Sequence, residues 1–164
     1  MKTIIMAIDC WENMPTEQIK KIGCLNSIAN EHYSFLHEAQ KHPAMPDWIQ
    51  PTHKELFTYI YENKPTRLVY VGLHWNECIW FRPKIGIREM LKLRPWVEIY
   101  TVPSCCRIRK NLYASGICPD ETLQATDLSY RWKKVEEDFY KYDESTFKEK
   151  FDGRGNCFVT EVLN

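Results

Sequence analysis

The sequence predicts an α/β domain of three-layer α/β/α build, with a mainly parallel sheet of about four to five strands. Three observations predict it. Short apolar, β-rich runs stand at 3–8, 67–72, 97–102 and 157–163. Stretches with apolar residues at helical spacing separate them, and strands alternating with helices form parallel sheets covered on both faces. Between Leu68 and Met90, an apolar run is broken by Gly72, a polar turn delivers Cys78, and Pro83 leads into a helical pattern. Strand, tight turn, thiol and helix start is how an open α/β sheet presents a reactive group, because ligands bind beyond the carboxyl ends of parallel strands.

The elements follow in order. Thr3 to Ile8 makes the first strand and Asp9 ends it, at the rim where α/β sites form, although Asp is also a common cap or turn residue. Pro15 and Thr16 suit a helix start. Ile19, Ile22, Leu25, Ile28 or Ala29, Tyr33, Leu36 and Ala39 then recur at helical spacing, which predicts one helix to about Gln40. Gly23 is a place where it can break. Lys41-His42-Pro43 stops it, and 43–51 is a loop containing Trp48. Lys54 to Glu62 is a second helix, with Leu56, Phe57 and Ile60 apolar, and Asn63-Lys64-Pro65 leads into strand 67–72. After Pro83 a third helix runs to about Leu93, Arg94-Pro95 breaks it, and 97–102 is a strand. Residues 103–125 read as irregular. Their basic knot, Arg107-Ile108-Arg109-Lys110, is an anion site or, more commonly, a solvated charge run. Asp127 can cap a fourth helix, whose apolar face is Leu128, Trp132, Val135, Phe139 and Tyr142 at 4-3-4-3 spacing. A turn at 152–156 precedes the last strand, 157–163.

A chain of 164 residues is most simply one domain, 1–164, able to bury one sizeable core. Hydrophobic content of 44% and charged content of 27% are ordinary for a globular protein. With a formal net charge of zero, neither nucleic acid nor an anionic membrane is an expected partner. Seven cysteines, at 10, 24, 78, 105, 106, 118 and 157, include no C-x-x-C pair and no zinc-finger spacing. Free thiols in a reducing, cytoplasmic setting are expected, with no cofactor or metal. Met-Lys-Thr before a short apolar run lacks the form of a signal peptide, and no segment has the ~20 apolar residues of a membrane-spanning helix. The aromatic share, 13%, fits a dense core or a surface that other chains contact, so a homo-oligomer stays open.

Gly72-x-His74-x-Asn76-x-Cys78, followed by Arg82-Pro83 and Gly86-Ile87-Arg88-x-Met90, resembles the isochorismatase-like cysteine hydrolases. It is most similar to the branch that reads G-x-H-T-N-M-C and then R-P-x-G-I-R-x-M. The resemblance implies a Rossmann-like fold and cleavage of an amide or other C–N bond of a small molecule. Cys78 would be the nucleophile and Asp9 the acid/base. Leu73, His74, Trp75 and Asn76, with Trp11, would line the substrate and oxyanion side, and the family has a cis peptide just before the position held here by Trp75. Such chemistry needs a thiolate, a proton shuttle, a positive group and N–H donors for the oxyanion. The family's D-x-Q reads Asp9-Cys10-Trp11 here, and its catalytic Lys would fall near Ala44-Met45-Pro46, leaving Lys41 as the substitute. Lys54 reads as a helix-surface charge. His42, His53 and His74 are polar candidates, each more often a turn histidine. Members of the family often oligomerise, for which Trp80, Phe81 or the 128–142 stripe would serve. Taken alone, a cysteine at a strand–helix junction is more often a small buried residue than a nucleophile. The alternative is therefore a catalytically inactive domain acting as a binding, assembly or structural module.

Overall fold

The computed structural model describes residues 1–37, 40–107 and 132–143. Six strands form one mixed sheet: β1 (Lys2–Ile8), β2 (Glu31–Phe35), β3 (Thr66–Gly72), β4 (Val97–Cys106), β5 (Trp132–Glu136) and β6 (Phe139–Tyr142). Their order is β2-β1-β3-β4-β6-β5. The first four run parallel, whereas β6 is antiparallel to β4 and β5 to β6. Among the described residues the α-helices are α1 (Thr16–Cys24), α2 (His53–Glu62) and α3 (Ile87–Leu93). The α/β class expected from the sequence is what forms, and the described residues alone make six strands where four or five were expected.

The central strands are apolar on both faces because both faces are buried, which is why they read as near-continuous runs. Ile4 to Ile8 are all at 0% exposure, and Leu68 to Val71 are buried beside them. The chain steps from β1 outward to β2 and returns past β1 to β3, so the strand order reverses between β1 and β3. A crevice opens at the carboxyl ends of strands at such a reversal. Gly72 makes that corner. It has φ +112°, and a Cβ there would lie 1.9 Å from the Ile8 carbonyl oxygen. Only glycine lets the end of β3 come this close to the end of β1. Leu73 N–H then donates to Ile8 O at 2.8 Å, which locks the two strand ends together.

The long helix expected to about Gln40 is corrected. α1 stops at Cys24, one 3₁₀ turn follows over Leu25–Ile28, and β2 takes Glu31–Phe35. Tyr33 and Phe35, two apart, are buried on β2. Tertiary pairing outweighs helical spacing here: β2 lies along β1 from Ile4↔Glu31 to Ile8↔Phe35. Asn30 brackets the entry, its N–H donating to Thr3 O and its Oδ1 accepting from Thr3 N, both at 2.9 Å.

The fourth helix is corrected too. Residues 132–142 form the β5–β6 hairpin, turning at Asp138 with φ +74°. Trp132 and Tyr142 face each other across it, and β6 pairs with β4 through Tyr100↔Lys141 and Thr101↔Tyr140. Trp, Val, Phe and Tyr favour strands, and the edge of β4 offers them backbone partners. Val135, placed in the expected apolar stripe, is 52% exposed. Asp127, Leu128, most of the basic knot and strand 157–163 lie outside the described residues.

The other elements keep their expected places. α2 begins with a capping box: Glu55 N–H donates to Thr52 Oγ1 at 3.1 Å and Thr52 N–H to Glu55 Oε1 at 3.0 Å. It buries Leu56 and Ile60. The helix after Pro83 starts four residues late, at Ile87. Lys84 takes φ +72°, and Gly86 packs its backbone against Trp80 and Arg82 so closely that a Cβ would meet Trp80 O at 2.7 Å. β4 extends beyond Val102 to Cys106, continuing beside β3 to the pair Gly72↔Cys106.

Candidate functional site

Asp9 and Cys78 come from the ends of adjacent parallel strands. Asp9 follows β1 directly, with φ +48° and 1% exposure. Its N–H donates to Phe35 O at the end of β2, at 2.8 Å. Asp is one of the few residues that accepts such a backbone at small cost. Cys78 lies on a single π-type turn, Trp75–Ile79, closed by Ile79 N–H to His74 O at 3.3 Å. Turns of this kind recur at functional sites. The end of β4 ties the turn down: Trp75 N–H donates to Arg107 O at 2.7 Å, and Arg107 N–H to Gly72 O at 3.3 Å.

The carboxyl of Asp9 is surrounded unequally. Oδ1 accepts the His37 N–H at 2.9 Å and faces Arg82 Nη1 at 3.4 Å. Oδ2 is buried and has no hydrogen-bond partner among the described residues, and the Cys78 thiol lies near enough to the carboxyl to pull its pKa down. Burial pushes Asp9 above its ordinary value, while the Cys78 thiol, the Arg82 guanidinium and the His37 N–H each pull it down. Desolvation prevails, because an ionised carboxylate loses most of its hydration at 1% exposure. A raised carboxyl beside a thiol is placed to take and return a proton.

Arg82 is the cation of the site. Besides Asp9, its Nη1 donates to Phe35 O at 3.3 Å and its Nη2 to Leu36 O at 3.5 Å, so one planar fork holds the carboxylate and the end of β2. Lys41 is elsewhere engaged. It forms an ion pair with the exposed Asp47 carboxylate, and its backbone bridges to Trp11. The positive group belonging to Asp9 thus comes from Arg82, directly after the cysteine turn.

Other sequence candidates fall in different places. Trp75 is fully buried and meets Trp80 edge-on, with ring centroids 5.2 Å apart. Trp80 in turn packs on Trp132 at 6.5 Å and Tyr142 at 5.9 Å, so the hairpin braces the cysteine turn from behind. At 0% exposure Trp80 is core and not an oligomer surface, which corrects that expectation. Leu73 is buried with its N–H spent on Ile8, and the Trp75 N–H is spent on Arg107. The expected cis peptide before Trp75 is not present: the cis bond among the described residues is Lys64–Pro65. His74 is half-buried on the turn, and the Asn76 side chain lies outside the described part. Trp11 is half-buried beside Asp9, its N–H donating to Asp9 O at 2.7 Å. His42 is a turn histidine, buried, with Nδ1 accepting from Ala44 N–H at 3.0 Å.

A cleft of about 420 Å³ opens over the thiol, lined by His37, His53, Cys78, Phe81, Arg82 and Pro83. Sequence reasoning gives no role to Arg82 or His37. The only signal for Arg82 is its place in the Arg82-Pro83 pair four residues after the thiol, and nothing local marks His37. Among the described residues, no group of three or more His, Cys, Asp or Glu side chains could hold a metal, and no helix is long and apolar enough to cross a membrane. No family model, no curated protein and no solved structure matches the chain.

Proposed function

We propose that the chain is an isochorismatase-like hydrolase of three-layer α/β/α build, cleaving an amide or other C–N bond of a small molecule through Cys78. The observation that carries this reading is the Cys78 thiol on the buried Asp9 carboxyl, held by Arg82, at the point where the strand order reverses. Asp9 takes the thiol proton as Cys78 Sγ bonds to the carbonyl carbon. Collapse of the tetrahedral adduct breaks the C–N bond, and Asp9 returns the proton to the leaving nitrogen. A thioester remains. Asp9 then takes a proton from water, hydroxide adds to the thioester carbon, the acid departs, and the proton returns to the thiol. The Arg82 guanidinium faces the carboxylate that takes the proton in each half-cycle. The described cysteines, Cys10, Cys24, Cys78, Cys105 and Cys106, are all free thiols, as a reducing cytoplasmic setting requires.

One observation favours the alternative of an inactive scaffold. The N–H groups of Leu73 and Trp75 already bond to protein carbonyls, which removes two donors from the oxyanion side. A single experiment separates the readings. Cys78 labelling by iodoacetamide, followed by mass spectrometry across pH, is expected to outpace that of the exposed Cys24. Turnover of a panel of small amides is expected to fall by roughly 10²–10⁴-fold in Asp9→Asn and to vanish in Cys78→Ala. Labelling at Cys78 no faster than at Cys24, with no amide turned over, establishes the inactive scaffold instead.

A further inference from the structure

We infer that the cleft over Cys78 selects small molecules bearing an anionic group, a carboxylate above all. The corollary, that the substrate is an acid-bearing amide, rests on the hydrolase reading; the anion selectivity does not.

The argument begins from what lines the cleft. Of its six residues, His37, His53 and Arg82 carry N–H donors able to bear positive charge, Phe81 and Pro83 are apolar, and Cys78 is the thiol. Among the described residues, no carboxylate lines it. Asp9, the acid beside the thiol, is 1% exposed and pairs with Arg82 at 3.4 Å. A cleft with one sign of charge on low-dielectric walls concentrates ligands of the opposite sign.

The His37 backbone is fixed to Asp9 Oδ1 at 2.9 Å, and the His53 ring stacks on Phe57 with centroids 6.0 Å apart and planes at 28°. Arg88 lies over the Phe81 ring at 5.5 Å, adding positive charge behind the apolar wall. The N-terminus of α2, where His53 sits, is already capped by Thr52 and Glu55, so the selectivity comes from side chains and not from the helix end. A volume of about 420 Å³ suits a small molecule, its body against Phe81 and Pro83 and its anion towards the two imidazoles.

The test uses two reagents that make the same bond. Iodoacetate and iodoacetamide both place a CH₂ group on sulfur with loss of iodide, and they differ in carrying a carboxylate or a neutral amide. The iodoacetate-to-iodoacetamide rate ratio at Cys78 is expected to exceed that at exposed Cys24 by about tenfold or more, and to fall towards it in His37→Gln/His53→Gln. A ratio at Cys78 no higher than at Cys24 overturns the inference. The comparison is repeated without the thiol in Cys78→Ser, by following histidine ring resonances on titration with phenylacetate and phenylacetamide. Tighter binding of phenylacetate supports anion selection, and equal binding refutes it. Slow labelling of Cys78 by both reagents with a raised ratio keeps anion selection and removes the hydrolase. Fast labelling with an unraised ratio does the reverse.

Discussion

Asp9 joins a left-handed backbone, near-complete burial and a thiol neighbour in one residue. Its carboxyl is held above its ordinary value chiefly by desolvation, so the native state binds the proton more tightly than the unfolded chain does. Its contribution to stability is therefore full below the ordinary aspartate range and is lost as pH rises through the folded value. Asp9→Asn removes the buried charge and keeps an acceptor for the His37 N–H. We expect it to melt a few degrees above wild type at neutral pH, with the difference closing as pH falls below the ordinary aspartate range. Thermal unfolding across pH checks the sign. A lower Tm for Asp9→Asn at neutral pH would mean that attraction to Arg82 exceeds the desolvation cost. Asp9 was legible in the sequence as a carboxylate closing an apolar run. Arg82 was not, because its partner stands 73 residues away and only the pairing of β1 with β3 brings them within 3.4 Å.

At the scale of elements, the cysteine turn depends on the corner at Gly72. Any side chain there meets Ile8 O at 1.9 Å with φ at +112°, and the clash is with backbone that cannot rotate away. Gly72→Ala is expected to cost about 3 kcal/mol or more, since positive φ alone costs on the order of 1–3 kcal/mol and the clash adds to it. Urea unfolding measures the loss, and a midpoint unchanged from wild type would show that the corner opens easily. Elements made of consecutive local signals were readable: β1, β3, the start of β4, and α2 between Thr52 and Asn63. Two were misread for one physical reason. Tyr33 keeps helical spacing with Leu36 and strand spacing with Phe35, and Trp132 and Val135 fit a helical stripe although they lie on a strand. The choice falls to the edges of β1 and β4, which offer backbone partners to whatever strand lies alongside.

At the scale of the molecule, the described thiols are separated by depth. Cys10, Cys105 and Cys106 are at 0% exposure around the carboxyl ends of β1 and β4, whereas Cys24 is exposed and Cys78 opens to the cleft. Burial pushes the Cys10 thiol far up, that of Cys105 to about 12 and that of Cys106 to about 11. The three are therefore expected to label only when the sheet opens as a unit. Pulsed thiol labelling against urea should give them one shared midpoint that coincides with global unfolding. A buried cysteine that labels under native conditions at the rate of Cys24 would show that the strand ends open locally.

The sequence by itself determined the α/β class, the buried central strands, and the presence of a carboxylate and a thiol at strand ends, because apolar periodicity and glycine and proline positions are local properties. Local patterns placed Cys78 on a turn and Asp9 at a rim, and only the family resemblance paired them as nucleophile and acid/base. Tertiary structure alone decided that the two stand together, that Arg82 and not Lys41 pairs with Asp9, and that Trp75 and Trp80 belong to the core. Those outcomes depend on strand order and on which faces are covered, and both emerge only when separate segments compete for the same sheet edges.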